Sequence, residues 1–415
     1  WSYSNGVLTY TSGNKYVIQT KSSDDSANVE TVGEGNTFIY DTTAPSSAVI
    51  YPANDAALTG LIVISGTSTD LPATNNSGLL NVKVSIKRSS DTTYWTGGIW
   101  TNTDFWVAAT SGITSWQYTG VPSWDSGIAY IVRAKGEDNL NTVETAGTGN
   151  TFSFDLVAPS SGLVKPTNSA KYNSVFDITG NSSDPWPGTV ASIKVSIKKV
   201  ADTTYWQGSV WTAISESASW ITASGTTSFN YTNPGLTTGN QYIVKSKAYD
   251  AAANEETAGG NATFIYDTSV PSSYLIAPTD SGKYKSLSLI TGNAVEYPAG
   301  TNAGLSNVKL SIMNTGNTQY WAGTSWESIP EEWLTATGAA NWNYGAVGWV
   351  TGNIYRIKTK ASDLASNTET PGTGLTFVFD NTDPSSTVTY PTNNAKVPSL
   401  AIISGTGTDY PGGTN

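Results

Sequence analysis

The chain has 415 residues, of which 38% are hydrophobic, 11% aromatic and only 13% charged, and its formal net charge is −11. It contains neither His nor Cys, which excludes imidazole and thiolate catalysis, His or Cys metal sites and disulfides. The acidic balance disfavours nucleic acid and anionic membranes as partners, and no apolar run is long enough to predict a membrane span. Abundant Gly, Tyr and Trp favour an all-β protein, and the lack of disulfides favours a bacterial or archaeal source.

An internal repeat of about 113 residues organises the chain. Four aspartates each stand four residues before a Pro-Ser-Ser motif: Asp41, Asp155, Asp267 and Asp380. A unit of this length is typical of a β-sandwich domain and too long for a solenoid repeat. Three complete domains are predicted, 41–154, 155–266 and 267–379. A partial unit precedes them at 1–40, and another follows them at 380–415. We expect the same chain to continue on both sides.

Strand signals follow one another within the first complete unit. The apolar run 61–66 precedes an acidic loop, and residues 82–88 then alternate apolar and polar side chains, as in a strand with one wet face. A later strand starts at Tyr130, after a turn that contains Gly, and this Tyr resembles the tyrosine corner of Greek-key sandwiches. We expect seven to nine strands in each unit and essentially no helix.

A Trp-rich motif recurs in the middle of each unit as YWTGGIW, YWQGSVW and YWAGTSW. It predicts an inserted or elaborated hairpin. Its aromatic rings have two interpretations, which are core filling and an exposed platform that binds polysaccharide or packs against neighbouring fibres. The residues concerned are Trp95, Trp100, Trp206, Trp211, Trp321 and Trp326.

One segment near the end of the unit carries a family resemblance, and it is clearest in the second and third complete units. Residues 246–256 (SKAYDAAANEE) and 359–369 (TKASDLASNTE) are each followed by a strand that leads into an Asp-initiated linker ending in Pro. This pattern resembles bacterial immunoglobulin-like domains, which occur in tandem in surface adhesins and extracellular fibres. The resemblance implies a linear array of Greek-key β-sandwiches at the cell surface or outside the cell, with calcium at the domain junctions.

Acidic residues recur at three positions of the unit. In an immunoglobulin-like topology the entering linker, the second-to-third-strand loop and the sixth-to-seventh-strand loop share one end of the sandwich. We therefore expect Asp155, Asp184 and Asp250 to converge at one junction. Such oxygen clusters suit Ca²⁺, although Asp is also a common turn former. The candidates are Asp24, Asp41, Asp70, Glu137, Asp155, Asp184, Asp250, Asp267, Glu296, Asp363, Asp380 and Asp409.

Together these patterns predict a structural segment of an extracellular fibre or adhesin stalk. We expect no catalytic site, because every acidic position is copied from unit to unit, and no cofactor beyond calcium. The alternative is a surface protein that binds carbohydrate on its repeated Trp platforms. The expected partners are the continuing chain, neighbouring fibres or cell-surface polysaccharide.

Overall fold

The computed structural model describes residues 1–409 except 5, 7, 233 and 258. The end of the last partial unit, 410–415, therefore lies outside the described residues. Three complete domains follow one another, with a partial unit at each end. The first partial unit contributes an antiparallel pair, β1 (Asn14–Ile18) and β2 (Asn36–Tyr40), and the last contributes another, which closes the numbering below.

Domain I contains ten strands in two sheets. They are β3 (Ser46–Tyr51), β4 (Ala56–Leu58), β5 (Ile64–Thr69), β6 (Leu79–Arg88), β7 (Tyr94–Trp95), β8 (Trp100–Thr101), β9 (Val107–Ala108), β10 (Ser115–Tyr118), β11 (Ile128–Asp138) and β12 (Asn150–Phe154). The smaller sheet has the order β10-β5-β3. The larger has the order β4-β12-β11-β6-β7-β8, with β9 also paired to β6. Strand β4 runs parallel to β12, whereas the other pairs are antiparallel.

Domain II repeats this order. Its strands are β13 (Ser160–Lys165), β14 (Ala170–Tyr172), β15 (Ile178–Ser183), β16 (Val190–Lys199), β17 (Thr204–Trp206), β18 (Trp211–Thr212), β19 (Ile221–Thr222), β20 (Ser228–Tyr231), β21 (Asn240–Asp250) and β22 (Asn261–Tyr266). One turn of 3₁₀ helix, Glu216–Ala218, precedes β19. It is the only helical element in the described part of the chain.

Domain III has the same ten positions, and the last partial unit adds two strands. They are β23 (Ser272–Ala277), β24 (Gly282–Tyr284), β25 (Leu289–Val295), β26 (Leu305–Asn314), β27 (Gln319–Trp321), β28 (Trp326–Glu327), β29 (Leu334–Thr335), β30 (Asn341–Gly345), β31 (Asn353–Asp363), β32 (Leu375–Phe379), β33 (Ser385–Tyr390) and β34 (Ser404–Thr408). The count exceeds the expected seven to nine because the Trp-rich insert forms extra strands of two or three residues.

The core of each domain lies between its two sheets. In domain I, Val82, Val84 and Ile86 of β6 are buried, as their alternation predicts. The opposite face of β6 is only partly exposed to solvent. Ser85 on this face is fully buried, and its hydroxyl donates to Asp104 of the segment that crosses the strand (3.1 Å). Thus the insert covers an outer sheet face that the alternation pattern left open.

A glycine in the second strand of the smaller sheet makes room for the largest core side chain. A Cβ on Gly66 would lie 2.3 Å from the Trp116 ring, and Gly292 stands in the same relation to Trp342 at 2.2 Å. Both tryptophans are almost completely buried. Any larger residue at these glycines would displace the ring that fills the core.

The tyrosine corner is confirmed in all three domains. The backbone N–H five residues upstream donates to the tyrosine hydroxyl, from Asp125 to Tyr130 (3.0 Å) and from Thr237 to Tyr242 (2.9 Å). In domain III the donor is Val350 N–H, 2.8 Å from the Tyr355 hydroxyl. The three rings are fully buried, so the turn before this strand is fixed to the core.

Candidate functional site: carboxylate clusters at the domain joints

Three groups of carboxylates lie where one domain meets the next. In each group the oxygens offered by three side chains all lie within 4.8 Å of one another. We name each after its linker aspartate. The Asp41 cluster, the Asp155 cluster and the Asp267 cluster are, in that order, Asp41 with Asp70 and Asp138, Asp155 with Asp184 and Asp250, and Asp267 with Glu296 and Asp363.

The structure corrects one member of the predicted set. Asp138, and not Glu137, completes the Asp41 cluster. Glu137 lies on the opposite face of β11, where its carboxylate accepts a hydrogen bond from the Lys83 ammonium at 2.9 Å. Because successive side chains of a strand point to opposite faces, a one-residue shift in the repeat exchanges the two.

The Asp155 cluster has the fewest hydrogen bonds to its oxygens. Asp155 is 1% exposed, and its Oδ2 has no hydrogen-bond partner. Both carboxylate oxygens of Asp184 are also sealed from solvent without a partner. Only Asp250 is satisfied on both oxygens, by the backbone and side-chain N–H groups of Asn254 at 2.7 Å each. Three orphaned anionic oxygens in one place are costly unless a cation or proton joins them.

Gly188 lies against two of the three orphaned oxygens. A Cβ on Gly188 would lie 2.3 Å from Asp184 Oδ2 and 2.6 Å from Asp155 Oδ2. Burial, and then the charges of Asp155 and Asp250, raise the pKa of Asp184 to about 6. The site is therefore a compact anionic cluster of hard oxygen ligands, the donor type that Ca²⁺ prefers.

The Asp267 cluster is more completely bonded. The two oxygens of Asp267 accept from Thr238 of domain II (3.2 Å) and from the Ala303 N–H of domain III (2.7 Å). Of this cluster only Glu296 Oε2 is without a partner. Burial first, and then the charges of Asp363 and Asp267, raise the pKa of Glu296. The Lys171 ammonium opposes that rise and donates to the carbonyl of Ala303.

The Asp41 cluster resembles the Asp267 cluster. Asp41 accepts from the Ser12 hydroxyl of the preceding unit (3.1 Å) and from the Ser77 N–H of domain I (2.7 Å). Asp70 accepts from the Gly78 N–H at 2.7 Å, and Asp138 Oδ2 is the one orphaned oxygen. The linker carboxylate thus bridges two consecutive units in both of these clusters.

A hydroxyl in the turn before the tyrosine strand also holds each linker. Ser126 accepts from Leu156 N–H at 2.9 Å, and Thr238 accepts from Thr268 N–H at 2.9 Å. From the other side, the Asn254 side chain donates to the Asp155 carbonyl (3.0 Å). The linker is therefore attached to the domain that it leaves and to the domain that it enters.

The remaining acidic candidates lie outside the three clusters. Asp24 accepts bonds within its own turn from Ser26 and Asn28. Asp380 repeats the linker contact through Thr351 at 2.9 Å, and Asp409 is exposed. The structure shows turn contacts for Asp24 and a linker contact for Asp380, and calcium binding stays a prediction for all three.

Sequence reasoning missed a second set of acidic residues, which tie the sheets together. Glu256 is 5% exposed and accepts from Ser161 N–H (2.7 Å), the Ser161 hydroxyl (2.6 Å) and Ala248 N–H (2.9 Å). Glu144 and Glu369 make the corresponding bonds in domains I and III. These contacts explain why the second Ser of the Pro-Ser-Ser motif recurs in every domain. That recurrence was the signal in the sequence from which the glutamate contacts could have been found.

The structure contradicts the Trp platform prediction for Trp206 and Trp321. Trp206 and Trp321 are buried in their domain cores, at 8% and 4% exposure. Trp100 has Tyr130 at 6.0 Å and the Arg88 guanidinium at 4.8 Å from its ring. The other three are partly buried and pack against the cores of their domains: Trp95, Trp211 and Trp326. The insert folds its rings inward because a hairpin of small residues cannot otherwise cover the open end of the core.

No protein-family model and no curated protein matches the chain. Among solved structures, the fibronectin(III)-like modules of Clostridium thermocellum CbhA share 13% identity (54% of this chain, 94% of that one, TM-score 0.28). The FN1–FN3 domains of chicken CNTN1 share 10% (81% and 98%, TM-score 0.29). The three N-terminal domains of the bacteriophage RB49 outer capsid protein Hoc share 11% (82% and 99%, TM-score 0.33).

These TM-scores are below 0.5, so the fold assignment rests on the strand order and pairings of the chain itself. Each domain packs a three-stranded sheet against a larger one, with the parallel β4-type strand and the tyrosine corner of an immunoglobulin-like sandwich. Among the described residues, no helix has the length and apolar character to cross a membrane. The chain is an all-β array of tandem immunoglobulin-like domains.

Proposed function

We propose that this chain is a structural, non-catalytic segment of an extracellular fibre or adhesin stalk. The observation that carries the proposal is the double attachment of the linkers, since Asp267 bonds to Thr238 of one domain and to Ala303 of the next. Joints of this kind favour a defined spacing between consecutive domains over free rotation. A low charge content suits a surface exposed to water along its whole length.

We propose Ca²⁺ as the ion that completes the Asp155 cluster. It has three orphaned oxygens on Asp155 and Asp184, and two of them, Asp155 Oδ2 and Asp184 Oδ2, lie beside Gly188. A divalent cation bound there offsets the repulsion between carboxylates of the linker and of two loops of domain II. Bound calcium therefore stiffens the joint between domains I and II while the sheets on either side stay folded.

Small-angle scattering of the full chain tests the calcium proposal. We expect a larger radius of gyration with calcium than with chelator, because a stiff joint keeps the array extended. Asp184→Asn should abolish this difference, whereas Asp202→Asn, at an exposed surface pair with Lys199, should keep it. Identical scattering of the unsubstituted chain in the two conditions would reject calcium as a stiffening ion.

Electron microscopy tests the fibre itself. Antibodies raised against this chain should label thin filaments outside the cells of its source. The filaments should have an axial repeat of about 40 Å for each domain, since strands of about ten residues at ~3.3 Å per residue span roughly 33 Å and the linker adds the rest. Labelling confined to the cell interior would overturn the proposal.

A further inference from the structure

The joint between domains I and II differs from the joint between domains II and III in one loop. The loop after β15 runs from Asp184 to Thr189, whereas the loop after β25 runs from Glu296 to Gly304. In the longer loop, Ala303 N–H turns towards the linker and donates to Asp267. In the shorter loop, Gly188 N–H donates to the carbonyl of Pro185 instead (2.7 Å). This difference accounts for the unpartnered oxygen of Asp155.

The second difference is a cation supplied by the preceding domain. Lys171 lies in the middle of β14, and its ammonium reaches across the joint to the Ala303 carbonyl. The residue in the equivalent position of β4 is Ala57, which has no charge. The two strands pair with the last strand of their domain in the same register. Lys171 lies opposite Ile265, and Ala57 lies opposite Ser153. The positive charge at the second joint is therefore absent from the first.

The third difference is the contact between a glycine of one domain and a proline of the next. A Cβ on Gly239 of domain II would lie 2.5 Å from Pro298 Cγ of domain III, so the Pro298 ring packs directly against the Gly239 backbone. At the first joint, a Cβ on Gly127 would lie 3.8 Å from the Trp186 carbonyl oxygen, which is an ordinary van der Waals distance. The first joint is thus packed less closely and carries three unpartnered carboxylate oxygens.

From these differences we infer that Lys171 acts as an internal counter-ion that locks the joint between domains II and III without a bound cation, whereas the joint between domains I and II depends on one. The second half of this inference rests on the proposed calcium site, and the first half does not. The residue in the middle of the β4-type strand then determines which kind of joint follows. Lys283 occupies this position in domain III, before the Asp380 linker.

The test uses the full chain with pairs of spin labels across each joint. Since the sequence contains no Cys, introduced cysteines are the only labelling sites. Ser90→Cys with Ala201→Cys spans the first joint, and Ala201→Cys with Gly316→Cys spans the second, all at exposed turn positions. The width of the distance distribution measured by electron–electron double resonance reports how far each joint swings.

Two substitutions exchange the character of the joints. Lys171→Met keeps the aliphatic stem and removes the charge. In chelator we expect a narrow distance distribution across the second joint of the parent chain and a broader one in Lys171→Met. In chelator, Ala57→Lys should narrow the distance distribution across the first joint. Ala57→Met, the control for side-chain length, should leave that distribution broad. Calcium should narrow the first joint of the parent chain and leave the second unchanged.

The outcomes separate the inference from the calcium proposal. If calcium leaves the first joint broad, the calcium proposal fails, while the lysine substitutions in chelator still decide the role of Lys171. If Lys171→Met leaves the second joint as narrow as before, the internal counter-ion is rejected whatever calcium does. A first joint that Ala57→Lys does not narrow, or that Ala57→Met narrows equally, likewise overturns the assignment of joint character to this one charged position.

Discussion

Asp184 is the residue whose ionisation has the largest effect on the first joint. Its carboxylate oxygens have no hydrogen-bond donor, and Asp155 and Asp250 repel its charge. The folded state therefore holds its proton more tightly than the unfolded chain does. A bound cation removes that preference, because it compensates the same charge.

The stability of domain II in chelator should fall as the pH rises from about 4 to about 6. In this range folded Asp184, with its pKa of about 6, binds more protons than the unfolded residue, with its ordinary pKa of 3.8. We expect a loss of about 1–2 kcal/mol in the free energy of unfolding, measured by urea titration at several pH values. Asp184→Asn should remove this loss.

Asp202→Asn provides a control of opposite sign. Hydrogen bonds from Lys199 and Thr204 lower the pKa of Asp202 to about 2, so its ionisation favours the folded state as the pH rises through the acid range. If Asp184→Asn left the difference in stability between pH 4 and pH 7 unchanged in chelator, Asp184 would not be an unpaired buried carboxyl.

The Asp41 cluster shows which site residues could be predicted from the sequence, because Glu137 was predicted where the structure has Asp138. A constant repeat length selected Glu137, which is acidic and one residue away from the correct position. Counting by twos from the buried Tyr130 reaches Asp138, so the strand alternation contained the answer. The orphaned oxygen of Asp155 could not be predicted, because it depends on how a shortened loop directs the N–H of Gly188.

At the scale of secondary-structure elements, Glu256 joins the first strand of the smaller sheet to the long strand β21 of the larger. Glu256→Gln replaces one of the two acceptor oxygens by an NH2 group, which cannot accept the hydrogen bonds that this oxygen receives from Ser161 or Ala248. We expect the free energy of unfolding to fall by about 2–3 kcal/mol in denaturant titration, because buried N–H groups lose partners. The neighbouring Glu255→Gln is the matched control, since its exposed pair with Lys247 should change stability by less than about 1 kcal/mol. Equal effects of the two substitutions would contradict the role of Glu256 as a tie between the sheets.

The main strands could be predicted from alternation and turns, because each buries one face in a period of two. Strand β6 and the tyrosine strand β11 follow their predicted patterns. The Trp-rich insert could not be placed in the same way. Its strands of two or three residues are too short for a period, and whether Trp206 faces solvent or core depends on the sheet that it folds against.

At the scale of the whole molecule, binding of calcium should change one joint and leave the rest as it was. Hydrogen exchange of the full chain, followed by mass spectrometry, should show slower exchange with calcium in the first linker, 155–159, and in the adjoining loops, 184–189 and 250–254. The sheets and the second joint should exchange at the same rate in both conditions. Changes spread through β16 or β21 would mean that the ion stabilises the domain core rather than the joint.

The parallel pairing of β4 with β12 affects how each domain carries tension. The chain enters domain I next to β3 and leaves it from the end of β12, and β4 runs beside β12 in the same direction. Pulling on the two ends therefore slides these strands past each other in shear, and three residue pairs must separate together rather than one after another. Domains II and III repeat this arrangement in β14 with β22 and in β24 with β32. Every domain in the series thus meets an axial load in its mechanically resistant direction.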